Sequence, residues 1–212
     1  NYQYSIDNTN FNDTGVFENL SAGNYTIFVK DENECSLQTS VTVGEPAVLS
    51  ATLSKTDVKC FGESTGVISL TKPTGGHGKY EYSIDGTNWQ STASFNNLAS
   101  GNYSVQMRDK DYPSCVITLN DTYTISRPAA PLSATVTSTR TTTYDTASGS
   151  ATANASGGTP GYTYAWMRAG TAAVIQSTKT ATNLAAGDYD VTVTDKNGCT
   201  FTETVTVSET IF

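Results

Sequence analysis

Three stretches of the chain repeat one phrase: NLSAGNYTIFVKDENEC from Asn19 to Cys35, NLASGNYSVQMRDKDYPSC from Asn97 to Cys115, and NLAAGDYDVTVTDKNGC from Asn183 to Cys199. A sequence that copies itself at this interval is built from small units stacked in a row, not around one large core. Tyr25, Tyr103 and Tyr189 share a position, so the repeat spacings are 78 and 86 residues. Other segments fall into the same alignment: YQYSID from Tyr2, YEYSID from Tyr80 and YTYAWM from Tyr162, then LSATL from Leu49 and LSATV from Leu132. VGEP closes at Pro46, ISRP at Pro128 and VSET at Thr210, so Ile211 and Phe212 are expected to open a further unit. The predicted division is a partial repeat over 1–47 with C-terminal strands only, a complete repeat over 48–129, and a second complete repeat over 130–210. Both ends are expected to cut through a longer array.

Within a complete unit, alternating apolar and polar residues separated by turn formers predict about seven short strands. In the third unit these fall near 132–140, 147–155, 162–168, 172–177, 179–183, 188–195 and 199–208. Seven strands in some 80 residues predict an all-β chain of tandem immunoglobulin-like β-sandwich repeats. Leu184, Gly187 and Tyr189 have the spacing of a tyrosine corner, in which a phenol hydroxyl bonds back to the chain entering the sixth strand; Tyr103 and Tyr25 stand in the same place. Beyond that corner Tyr189, Val191 and Val193 are predicted to face inward, with Asp190, Thr192 and Thr194 outward. Asn197 and Gly198 predict a type I′ hairpin turn. Tyr80, Tyr82 and Ile84, or Tyr162, Tyr164 and Trp166, form one face of the third strand and are read as core.

The remaining chemistry is sparse. With 12 Lys and Arg against 20 Asp and Glu, the net charge is −8. Scattered basic residues cannot follow a phosphate backbone, which excludes nucleic acid as the expected partner. No apolar run approaches the roughly 20 residues that cross a bilayer. The N-terminal NYQYSIDNTN is not a signal peptide. His77 is the only histidine and sits in TGGHGKY, so neither a catalytic constellation nor a zinc site is expected, and the chain is read as no enzyme. Asp31, Asp109 and Asp195 recur at one hairpin, with Asp57, Glu63 and Glu45 near predicted junctions. Turn hydrogen bonding accounts for the recurring Asp, while calcium at repeat junctions stands as the one cofactor to consider. Trp89 and Phe11 lie near a turn and read as covers of the sheet edge, with Trp89 the candidate ligand contact.

YSIDGTNWQSTASFNNLASGNYSVQMRD, the CFGESTG before it and the closing VTDKNGCTFTETVTVSE together resemble SprB-type repeats of Bacteroidetes cell-surface adhesins, including those of gliding motility. The resemblance covers nearly the whole chain. It implies an exported, extracellular tandem-repeat protein, delivered by type IX secretion, with a stalk or adhesive role. The partners it suggests are neighbouring repeats, outer-membrane secretion or motility machinery, and surface polysaccharide. The chain departs from the pattern at DKDYPSC in the second unit, at Glu34 in the first, and at Thr143 in the place of Cys60. The triplet at 145–147 is similar to a short Bacteroidetes O-glycosylation acceptor, which makes Thr146 a candidate glycan site.

An exported chain with four cysteines is expected to form disulfides. Pairing Cys60 with Cys115 keeps the bond within one repeat. Yet in an immunoglobulin-like sandwich Cys60 lies in the turn between strands one and two, whereas Cys115 opens strand seven at the other end, and a strand of eight residues spans about 27 Å. Pairing Cys60 with Cys199 instead staples one repeat to the next and leaves Cys35 and Cys115 waiting for partners upstream. Both pairings stand. Two functions follow: structural spacers that hold a distant tip away from the cell, or carbohydrate-binding modules that contact surface polysaccharide through Trp89 or the Gly-rich loop 74–79. The third unit lacks a counterpart of Trp89, which favours the spacer.

Overall fold

The computed structural model describes residues 1–142 and 146–209. Among them are sixteen strands and no helix, and every pairing between strands is antiparallel. The third repeat holds seven: β10 (Ser133–Thr139), β11 (Gly149–Ser156), β12 (Thr163–Arg168), β13 (Val174–Gln176), β14 (Thr180–Leu184), β15 (Gly187–Thr194) and β16 (Thr200–Val207). They form two sheets, β10-β11-β14 and β13-β12-β15-β16, the two layers of an immunoglobulin-like sandwich. Each strand end lies within about two residues of the place that the period-two pattern gave it.

The second repeat has the same plan with six strands. β4 (Ser50–Thr56), β5 (Gly66–Thr74) and β7 (Ser94–Leu98) make one sheet, and β6 (Tyr80–Ser83), β8 (Gly101–Asp109) and β9 (Val116–Ile125) the other. Where the third repeat has β13, the second has only an isolated bridge between Tyr82 and Gln90. The reason is a tight turn: Asp85 accepts N–H bonds from Thr87 and Asn88 and a side-chain bond from Asn88, which leaves no extended segment to pair. The first repeat contributes β1 (Tyr2–Ser5), β2 (Gly23–Asp31) and β3 (Ser36–Val43) in one sheet. Its VFENL segment at 16–20 copies the SFNNL of β7 but is not a strand. β7 is held by β5, and among the described residues the first repeat has no such neighbour.

Two separate hydrophobic cores result. In the third repeat Trp166, Val191, Val193 and Val207 pack with Ala151, Ala153 and Ala181. In the second, Ile68, Leu70, Val105, Met107, Tyr82 and Ile125 do so. The two cores trade volume across the layers. Ile68 and Leu70 on β5 occupy the places of Ala151 and Ala153 on β11, while the bulky Trp166 stands where the second repeat has the smaller Ile84. Placing large against small is how a sandwich of fixed layer spacing fills its interior.

The three copies of the opening phrase make the same corner. The hydroxyls of Tyr25, Tyr103 and Tyr189 donate to the carbonyls of Ser21, Ala99 and Ala185, at 2.9, 2.9 and 3.0 Å. Each corner begins with an Asn in the left-handed region, at φ 58°, 57° and 56° for Asn19, Asn97 and Asn183, which asparagine tolerates better than most residues. We expect Tyr189→Phe to lower the stability of the third repeat by about 1 kcal/mol, read by denaturant unfolding, because Tyr189 is buried and the substitution removes one hydrogen bond without opening a cavity.

The hairpin after β15 differs from the expected type I′ turn. Gly198 donates its N–H to the Asp195 carbonyl at 3.1 Å, and among residues 195–198 only Gly198 has positive φ, at 87°. This is a type I turn followed by a left-handed residue, the three-residue hairpin solution. Glu34 fills the Gly198 position in the first repeat at φ 66°.

Candidate functional site: the junction between repeats

The chain passes from the second repeat to the third through residues 126–132, and both ends of that passage are fixed. At the near end Asp57 accepts the Ser126 N–H at 2.8 Å and Val58 donates to the Ser126 carbonyl at 2.9 Å, tying the linker to the loop that carries Cys60. The Ser126 N–H and then Lys55 hold the Asp57 carboxyl below its usual range. Arg127 then lays its guanidinium 4.4 Å from the Phe61 ring centre. At the far end Gly158 donates to the Ala130 carbonyl at 3.0 Å, and a side chain on Gly157 would collide with the Pro131 carbonyl. Glycine is required at both positions, which also have φ of 70° and 56°.

The second repeat receives its own linker in the same way, through Gly75 and Gly76. Tyr80 and Tyr162, each five residues beyond the first glycine of its pair, donate their hydroxyls back to the Gly75 and Gly157 carbonyls at 2.9 and 2.6 Å. The Gly-rich loop 74–79 therefore seats the linker. The doublet five residues ahead of YxY was legible in both complete repeats, but its purpose shows only in the folded chain.

Across the junction Cys60 and Cys199 are joined, with Cα atoms 5.7 Å apart and a sequence separation of 139. Cys60 lies between β4 and β5, and Cys199 opens β16, so the bond links the two cores. Cys115 is not its partner; Cys115 and Cys35 are free and exposed. Asn197 adds a second bridge, donating its side-chain amide to the Lys59 carbonyl at 3.0 Å and to the Thr159 hydroxyl at 2.9 Å. Sequence reasoning gave Asn197 only a turn role.

The hairpin that carries Cys199 is held by a buried carboxylate. Asp195 accepts N–H bonds from Asn197 and Cys199 on one oxygen and from Thr159 on the other. Asp109 does the same with Asp111 and Tyr112 on one side and His77 on the other. The side chains are 5% and 1% exposed, and burial alone would raise both pKa values. The converging N–H donors outweigh it and lower both. A carboxyl with a folded pKa below its unfolded one stabilises the fold above the unfolded value and loses that contribution as pH falls through the folded value. Stability is therefore expected to be flat above about pH 4 and to decline below it. Asp195→Asn should flatten that acid slope for the third repeat, as followed by thermal unfolding at successive pH values.

The other residues singled out from sequence are placed apart from the junction or serve it. Trp89 is half-buried beneath Arg108, 4.3 Å from its ring centre, and Arg108 in turn donates twice to Glu81. Phe11 lies likewise beneath Lys30 at 4.5 Å. His77 faces Asp109 with its ring nitrogen at 2.9 Å and stacks against Tyr112. Thr146 is exposed beside Ser148, while Asp145 of its triplet, Thr143 and residues 210–212 lie outside the described residues. Asp31 accepts the N–H groups of Asn33 and Cys35. Among the described residues no group of three or more His, Cys, Asp or Glu side chains is placed to hold a metal ion, and no helix is long and apolar enough to cross a membrane.

No curated protein matches the chain. Residues 52–88 and 143–171 each match the family model described as SprB repeat. These segments lie at corresponding places in the second and third repeats, each running through the second strand of the sandwich into the aromatic YxY strand. The second and third repeats thus each contain a segment similar to the SprB repeat.

Proposed function

We propose that this chain is a section of the stalk of a large, extracellular bacterial surface adhesin, in which the repeats are non-enzymatic spacers and not binding modules. The observation that carries this reading is the Cys60–Cys199 bond. A peptide linker by itself leaves two domains free to swing about it; a second covalent tie beside the linker removes most of that freedom. The Asn197–Lys59 bridge and the Arg127–Phe61 stack act at the same place. Stiffness over length is what a spacer needs, and a row of repeats that touch only their neighbours provides it.

The alternative, polysaccharide binding by each repeat, asks for exposed aromatic faces at matching places. One face of Trp89 is covered by Arg108, the third repeat has no ring there, and the Gly-rich loop seats the linker. A role in gliding motility, export by type IX secretion and a Bacteroidetes source extend the same proposal through the family likeness. The test is electrophoresis through gels containing surface polysaccharides, alongside solution scattering. The spacer reading expects unretarded migration, the same for Trp89→Ala, and a maximum dimension that becomes more widely distributed on reduction. Retardation that Trp89→Ala abolishes would replace it with the binding module.

A further inference from the structure

We propose that the second repeat carries, around Cys115, an unfilled copy of the acceptor that Cys199 makes in the third: a site for the cysteine-bearing loop of a preceding repeat, closed by a disulfide. The inference rests on the spacer reading and extends it from one junction to the next.

The two places are built alike. Leu49, Gly76, Asp109 and Cys115 correspond to Leu132, Gly158, Asp195 and Cys199. Gly76 donates to the Ala47 carbonyl at 2.8 Å as Gly158 does to Ala130, and a nearly buried aspartate organises each hairpin. In the third repeat this surface is occupied: Cys60, Phe61 and Glu63 of the second repeat line a cleft together with Leu132, Gly158 and Cys199. In the second repeat the same surface is a groove of about 290 Å³ lined by Val48, Leu49, Cys115, Val116 and Ile117, and what sets it apart from the roughly 350 Å³ cleft of the third repeat is that, among the described residues, none of another repeat's loop lines it.

Two of these apolar residues stand in water, Val48 at 80% and Val116 at 46% exposure, and the thiol that lines the groove with them is free. Covering such a surface is favourable at roughly 25 cal/mol per Å². The occupant is thus a loop of the Cys60–Glu63 kind from another repeat. Two departures mark this junction: Glu45 stands where Arg127 stacks on Phe61, and the Cys115 hairpin is two residues longer, with Asp111 where Asn197 donates to Lys59, so the bond and the apolar groove carry the contact without that stack or that bridge.

The covalent step needs a disulfide oxidant of low molecular weight, such as oxidised glutathione. The loop thiolate attacks it and releases one glutathione thiolate. The Cys115 thiolate then attacks the loop sulfur of the mixed disulfide and expels the second glutathione. Two thiol protons are lost, two sulfurs are oxidised to one disulfide, and one glutathione disulfide is reduced to two thiols.

The test places a second copy of residues 48–79 ahead of Tyr2, which gives the first repeat its own strands and cysteine loop, and maps disulfides without reduction after folding in a glutathione buffer. The added cysteine joined to Cys115 supports the inference. The added cysteine joined to Cys35, or left as a thiol while Cys60–Cys199 forms, overturns it and leaves the spacer reading standing. Absence of Cys60–Cys199 from the same map would remove the spacer reading itself.

Should the longer chain fail to fold, the native chain answers with a peptide of residues 57–65 supplied as its glutathione mixed disulfide. Cys35 is the internal control, an exposed thiol that does not line this groove. Relative to oxidised glutathione alone, the peptide is expected to load Cys115 at least tenfold faster than Cys35. Equal rates would overturn the proposal.

Discussion

Pulled from its two ends, the oxidised chain will extend about 480 Å less than the reduced one. Tension entering at the N-terminus reaches Cys60, crosses to Cys199 and leaves through β16. The 139 residues of sequence separation between the two cysteines carry none of it, and at roughly 3.3–3.6 Å per residue they account for that length. The first repeat and β4, with Leu49 and Val58 of the second core, can be drawn out; residues 61–198 stay outside the load path. Single-molecule stretching with and without reductant reads the difference directly, and equal contour lengths would mean that the bond does not bridge the repeats. The effect would grow with repeat number if every junction is stapled. Each bond would then tie the second-strand loop of one unit to the last hairpin of the next, so successive closed loops overlap and load passes from bond to bond.

Trp166→Ala is expected to unfold the third repeat well before the second. The ring is fully buried and its Nε1 donates to the Thr178 carbonyl at 2.9 Å. Emptying such a site costs about 3–5 kcal/mol, a large share of the roughly 5–15 kcal/mol that holds a small domain together. Unit three should melt roughly 12–40 °C lower, at about 4–8 °C per kcal/mol for a domain of this size. The two cores share no buried residue, so the second repeat should keep its transition. The variant provides its own reporter, because Trp89, in the second repeat, becomes the sole tryptophan. Calorimetry should show the third transition displaced while Trp89 fluorescence melts where it does in the parent. A common shift of both signals would mean a single cooperative core.

The strands of the third repeat were legible because their alternation is strict: Tyr189, Val191 and Val193 on β15 are buried and the residues between them are not. The corner tyrosines were legible for a similar reason, since a local spacing determines them. Less could be read where the partner is distant in sequence. The choice between Cys115 and Cys199 for Cys60 depends on which ends of two sandwiches meet, and no spacing within a repeat contains that information. Arg108 covers Trp89 from 19 residues away, so the aromatic that stood as candidate ligand contact has a basic side chain over it. The loop 74–79 stood as a ligand loop only in the binding-module alternative, and its Gly75 and Gly76 are needed because Val48 and Asp109 press against them. The turn at Asp195–Gly198 was misassigned because Asn-Gly serves two hairpin geometries; the side chain of Asp195, which takes N–H bonds from Asn197 and Cys199, selects the one with a single left-handed residue.

Proteolysis of the unreduced chain followed by mass mapping of its linked peptides is the most direct test of a rod made by stapling one repeat to the next. The expected product joins the peptide containing Cys60 to the peptide containing Cys199, with Cys35 and Cys115 recovered as thiols. A linked pair of Cys60 and Cys115 would place the bond within a single repeat and contradict the account.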